Sequence, residues 1–201
     1  RSKQSIMMIK PYFPPLECVP VCTGAPQSAH KSVTIASQEN RFEHGARFRV
    51  RYGVLEHPTE GAAGLARLRI LAAACGDLGT ALITMCTGTR DPDYLWRSHP
   101  DNNTSEAWSE TVWAMAAATA IAEDVGVTLV FEPEVNNVVN TAVKARRLLD
   151  EIASPHLQVV IDGANLFQAG QLARMRHVLE EAFDLLGDDI RMAHAKDLER
   201  D

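Results

Sequence analysis

Three side chains able to hold a metal ion follow short apolar runs at a regular interval. Glu132 follows VTLVF, Asp162 follows LQVVI, and His194 closes IRMA. They are 30 and 32 residues apart, one strand–helix repeat each. In parallel α/β folds the carboxyl ends of the strands open on one face, where active sites assemble. Side chains in phase along successive repeats therefore point into one cleft. Two carboxylates and an imidazole there suit a divalent cation such as Mn²⁺, Mg²⁺, Co²⁺ or Zn²⁺. A lone acid at a strand end more often caps a helix or meets water, and a lone His is more often a satisfied, partly buried one. Three in phase favour the metal.

The elements that would position these residues become regular from about residue 60. An apolar helix over 62–75, ended by Gly76 or Gly79, leads to a strand run over 81–86. A polar loop over 87–102 precedes a helix over about 104–124. Its start reads as a capping box, with Asn103 as N-cap and Glu106 three residues on. Its expected core face runs through Trp108, Val112, Met115, Ala116 and Ala122, with Thr119 the polar intrusion; Trp113 is also expected in the core. Gly126 stops it where a left-handed residue is needed. Strands over 127–131, 157–161 and 190–193 alternate with helices near 138–152 and 171–186. This alternation is the signature of βαβ units and a parallel sheet. The continuous apolar strands suit burial on both faces. No Gly-rich loop with dinucleotide or P-loop spacing follows any strand, which removes the commonest functions of open sheets.

The N-terminal quarter reads differently. Five prolines fall within residues 1–30, and strand-like stretches over 32–36 and 47–54 have no helix between them. Residues 1–51 hold 8 Lys/Arg against 3 Asp/Glu, whereas the remainder holds 12 against 23. Residues 1–50 are expected to be an irregular, Pro-containing segment, and 51–201 a partial barrel carrying the metal site. The 201 residues suffice for a real core but fall short of the ~250 typical of a complete (β/α)₈ barrel. With Arg1 first and Asp201 close behind a strand-like run, a fragment is expected.

The net charge of −6 argues against nucleic acid, whose binding needs clustered cations. Cys18 and Cys22 lack partners for a zinc set, while Cys75 and Cys86 sit in apolar runs and read as core thiols. No run approaches the ~18 apolar residues of a membrane span. No signal peptide is visible, so a cytoplasmic location is expected. Asn102-Asn103-Thr104 matches a glycosylation acceptor by chance.

Four strings carry a family resemblance: TGTRDPDYLWRSHPDN (87–102), FEPEVNNV (131–138), IDGANLF (161–167) and AHAKD (193–197). In this order they resemble sugar phosphate isomerase/epimerase proteins of the xylose isomerase-like, or endonuclease-IV-like, barrel superfamily, over about residues 56–201. The resemblance implies an α/β fold, a truncated (β/α)₈ TIM barrel of parallel strands with outer helices. It implies Glu132 as metal ligand and acid/base, with Asp162 and His194 as further ligands. Asn165 stands where the superfamily often has a substrate-binding His; an amide can orient a sugar hydroxyl but cannot take its proton. Lys196 would hold a phosphate or enediolate oxygen, or pair with a carboxylate, with Asp197 beside it. The family's eighth-strand Glu, its last ligand and second acid/base, has no counterpart before Asp201.

Softer candidates lie nearby. Trp96 and His99, on the loop after Cys86, could cover a sugar ring and meet its hydroxyls, or pack as a local lid. Glu134 and Asn136 flank Glu132 and could orient ligands; His57 could lie at an earlier strand end. The expected activity is a divalent-metal-dependent isomerase or epimerase of a sugar or sugar phosphate, acting through an enediolate. A polyol dehydratase of the same superfamily and a non-catalytic remnant or binding module stay open, as does a homo-oligomer.

Overall fold

A computed structural model describes residues 32–36, 58–94, 96–167 and 169–196. The expected irregular segment 1–50 lies outside them apart from 32–36, as do Cys18, Cys22, His57, Asp197 and the strand-like stretch 47–54. Five strands form one sheet: β1 (Ser32–Ala36), β2 (Leu82–Cys86), β3 (Thr128–Glu132), β4 (Leu157–Asp162) and β5 (Ile190–Lys196). Their order is β1-β5-β4-β3-β2. Strands β2 to β5 are parallel neighbours, each joined to the next through a helix, as parallel pairing requires.

The parallel strands β2 to β5 are joined at one edge by a strand from the N-terminal segment. β1 runs antiparallel to β5, with Thr34 opposite His194. An outer strand presents a row of unpaired N–H and C=O groups, which a strand of either direction can satisfy. β5 accordingly runs to Lys196, and His194 lies within it rather than at its end.

The helices are α1 (Pro58–Ala74), α2 (Ser105–Val125), α3 (Ala142–Ile152) and α4 (Met175–Leu186). They cover one face of the sheet. Ile83, Met85, Leu129, Phe131, Val159 and Ile161 form a core with Met115, Ala118 and Ala122 of α2, Leu148 of α3 and Leu186 of α4. Strand side chains alternate between faces, so Cys86, Glu132, Asp162 and His194 look the other way, towards the interior of a barrel.

The cap of α2 lies one residue beyond the expected one. Thr104, not Asn103, accepts from the Ala107 N–H, while Asn103 Oδ1 accepts from Lys144 Nζ. The buried stripe of α2 includes Trp108, Thr111, Met115, Thr119 and Ala122. Ala116 falls outside it, and Trp113 is 68% exposed. Five residues beyond Trp108 is ~140° around the helix, so Trp113 cannot share its face. α3 begins at Ala142 rather than 138 because Thr141 caps it. The Val138 and Val139 N–H groups instead donate to Gly88 O and Thr87 Oγ1 in the loop after β2. At the C-terminus of α2, Gly126 takes φ 78° and donates its N–H to Ala122 and Glu123 carbonyls, as expected.

Candidate metal centre

Register brings the three candidate ligands together. Asp162 is the partner of His194 across β4–β5, and Glu132 ends the adjacent β3. One ligand atom from each lies within 4.8 Å of the others. His194 Nδ1 is 3.4 Å from Glu132 Oε2 and 3.5 Å from Asp162 Oδ2. The Asp162 side chain is completely buried, whereas Glu132 and His194 keep 17% and 20% exposure. Asp162 is thus shielded on all sides, and the other two can meet a small molecule.

A buried carboxylate is costly unless hydrogen-bonded. Asp162 Oδ1 accepts from the Ala164 N–H at 3.1 Å, in the 3₁₀ turn that leaves β4, and Oδ2 accepts from Asn165 Nδ2 at 3.4 Å. The same Asn165 amide donates to Glu132 Oε1. Asn165 therefore bridges the two carboxylates: it holds Glu132 Oε1, leaving Oε2 turned to His194, and it shares Asp162 Oδ2 with His194. Burial disfavours the imidazolium, but Asp162 and Glu132 outweigh it and push the His194 pKa up to about 9. At neutral pH, without a metal, His194 is the counter-ion of two acids.

The other candidates lie on the loops after β2 and β3 and at the end of β5. Glu134 is buried and accepts from Asn137 Nδ2 at 2.9 Å. Asn136 contributes its backbone carbonyl, which accepts from Asn102 Nδ2 at 2.9 Å. His99 is turned to its own loop, where Nδ1 accepts the Asp101 N–H and caps a 3₁₀ turn. Trp96 is half-buried on the same loop. Lys196 is the last residue of β5, opposite Ser32; its side chain, like the whole of Asp197, lies outside the described residues.

Two features were not read from the sequence. Cys86 is no core thiol: it is the register partner of Glu132, so its side chain shares the cluster's face. Burial, together with Glu134 and Glu132, pushes its pKa up to about 11, which keeps it a neutral thiol. The signal was present, since the 81–86 run also ends on a potential ligand. Asn102 is the second. Only 1% exposed, it accepts from the Arg90 N–H at 2.7 Å, pairs with the Thr89 hydroxyl, and donates to Asn136 O. It closes the loop bearing Trp96 and His99 and ties it to the loop after Glu132. Its burial also agrees with reading the glycosylation match as chance.

Among the described residues no helix is long and apolar enough to cross a membrane. Three solved structures share the fold. A D-allulose 3-epimerase from Methylomonas sp. superposes with TM-score 0.52 and 19% identity over 68% of this chain and 45% of its own. A 3-keto-D-glucoside 4-epimerase from E. coli gives 0.50 and 18% over 68% and 53%. A probable 3-DHS dehydratase from Bacillus anthracis gives 0.50 and 17% over 68% and 44%. The chain thus spans about half the length of the structures it matches. No curated protein sequence matches it. The family profile described as xylose isomerase-like TIM barrel matches residues 33–201. With parallel strands and outer helices bearing the four quoted strings in family order, the chain belongs to the xylose isomerase-like TIM barrel family.

Proposed function

We propose that the protein acts as a divalent-metal-dependent isomerase or epimerase of a sugar or sugar phosphate, passing through an enediolate. The observation that carries this reading is the convergence of two carboxylate oxygens and an imidazole nitrogen within 4.8 Å. Donors bonded at ~2.1 Å to one tetrahedral ion stand ~3.4 Å apart. The separations from His194 Nδ1, 3.4 and 3.5 Å, fit that spacing. Glu132, Asp162 and His194 would hold the ion, and their donor types suit Mn²⁺, Mg²⁺, Co²⁺ or Zn²⁺. When bound, such an ion polarises a carbonyl and stabilises negative charge on neighbouring oxygens.

Glu132 has the exposure that proton transfer needs, and a carboxylate can take the proton from the carbon beside a sugar carbonyl and return it. Asp162, fully buried, serves as a ligand alone. Asn165 keeps Glu132 and Asp162 in a fixed relative orientation, and its amide can also reach a hydroxyl but cannot act as a base. His194 binds as the neutral ring, so its proton must leave first.

The experiment is calorimetric Mn²⁺ titration followed by ²H incorporation from D₂O into a panel of free and phosphorylated ketoses. Exchange beside the carbonyl that disappears in Glu132→Gln supports the reading. Loss of water from a cyclic polyol without such exchange would make the protein a dehydratase. Absence of saturable metal binding overturns the site.

A further inference from the structure

A groove of about 330 Å³ lies between the first turns of α2 and α3, lined by Trp108, Lys144, Arg147 and the hydroxyl residues Ser105 and Ser109, among others. None of its lining residues is a carboxylate, in a chain of net charge −6. Two cations face the same space. Among the described residues Lys144 Nζ donates to two neutral oxygens, Asn103 Oδ1 at 2.8 Å and Val138 O at 2.9 Å. Burial, and then Arg147, push its pKa below the usual lysine value. The Arg147 guanidinium lies 4.2 Å from the centroid of the Trp108 ring. Its Nε donates to Glu151 at 2.7 Å, and the Trp108 indole N–H donates to the same carboxylate. Glu106, which accepts from Ser105, and Glu151 both lie outside the lining. The guanidinium is therefore held flat and in place, so little side-chain entropy is lost when it grips an anion.

We propose that this groove binds a phosphate group, free or as a monoester, between Lys144 and Arg147 with the Ser109 hydroxyl as a further donor. A planar guanidinium and an ammonium converging on one space match the several acceptor oxygens of phosphate. The volume leaves room for the organic part of a monoester. The site is separate from the candidate metal centre, since no lining residue is one of its donors. It nonetheless adjoins the loop after Glu132, because Lys144 also holds the carbonyl of Val138.

The test is a metal-free ¹H–¹⁵N NMR titration with inorganic phosphate, glucose 1-phosphate and glucose. The Trp108 indole and Ser109 amide signals are expected to shift saturably with the two phosphates and not with glucose. Losing one charged donor should weaken binding about tenfold or more. Lys144→Gln should therefore lose affinity, Lys144→Arg should keep most of it, and added salt should weaken binding. A tighter fit for glucose 1-phosphate than for phosphate assigns the groove to monoesters; equal affinity assigns it to the free ion. No saturable shift at tens of millimolar phosphate, or equal binding by wild type and a folded Lys144→Gln, overturns the proposal. So does a response at His194 in place of Trp108.

Discussion

His194 Nδ1 stands 3.4 Å from Glu132 Oε2, although one residue belongs to β5 and the other to β3, with β4 between them. Strand spacing alone would keep them ~9–10 Å apart at the backbone. The gap closes because both long side chains lean over Asp162, whose short side chain is buried beneath them.

This arrangement makes metal affinity depend on pH. His194 is raised to about 9 by its acidic partners, against burial, and must lose its proton to ligate. Apparent Mn²⁺ affinity should therefore rise about tenfold per pH unit between pH 7 and 9 and level off above. Calorimetry in buffers of different ionisation enthalpy should register about one proton released per ion at pH 7.

The metal-free protein should show the opposite trend in stability. The folded state holds the His194 proton more tightly than the unfolded chain, whose value is near 6.5. The stabilisation is complete below about pH 6.5 and is lost as pH rises through about 9. At pH 7 it is on the order of 2 kcal/mol. Urea unfolding in the presence of a chelator should lose this amount between pH 7 and 10, and His194→Gln should flatten the dependence.

Asn165→Ala removes the amide that bridges Glu132 and Asp162. Outer partners of metal ligands typically contribute 10–100-fold to affinity. The Mn²⁺ dissociation constant should rise by roughly that factor with little change in the circular dichroism spectrum. Unchanged affinity would show that the ligands orient themselves.

Asn102→Ala leaves the part-buried Arg90 N–H and Asn136 carbonyl without this partner. Such losses cost ~1–3 kcal/mol. Trypsin should also cut faster after Arg97, whose side chain is 58% exposed on the loop that Asn102 closes.

Cys86 should resist alkylation. With its pKa near 11, its thiolate fraction at pH 8 is far below that of an ordinary thiol. Iodoacetamide labelling at the Cys86 peptide, followed by mass spectrometry, should run about 100-fold slower than at a free thiol of pKa ~8.5. Glu134→Gln should speed it, because burial comes first and the Glu134 charge second among the groups that raise the thiol.

Periods and phase were legible in the sequence. The apolar runs became β2 to β5, the helical spacing became α1 to α4, and the position of Glu132, Asp162 and His194 in those runs put them on one face. These follow from local rules, since alternation along a strand and the helical repeat are properties of adjacent residues. Tertiary structure decided the rest. Thr104 displaced Asn103 as cap, while Asn103 accepts from Lys144 of α3. Trp113 faces outward because no neighbouring element covers its side of α2 among the described residues. Asn102 looked like any loop polar residue until Asn136, 34 positions away, supplied its acceptor. The direction of β1 and the charge of His194 are likewise set by partners distant in the chain, through hydrogen bonds and fields that act across space.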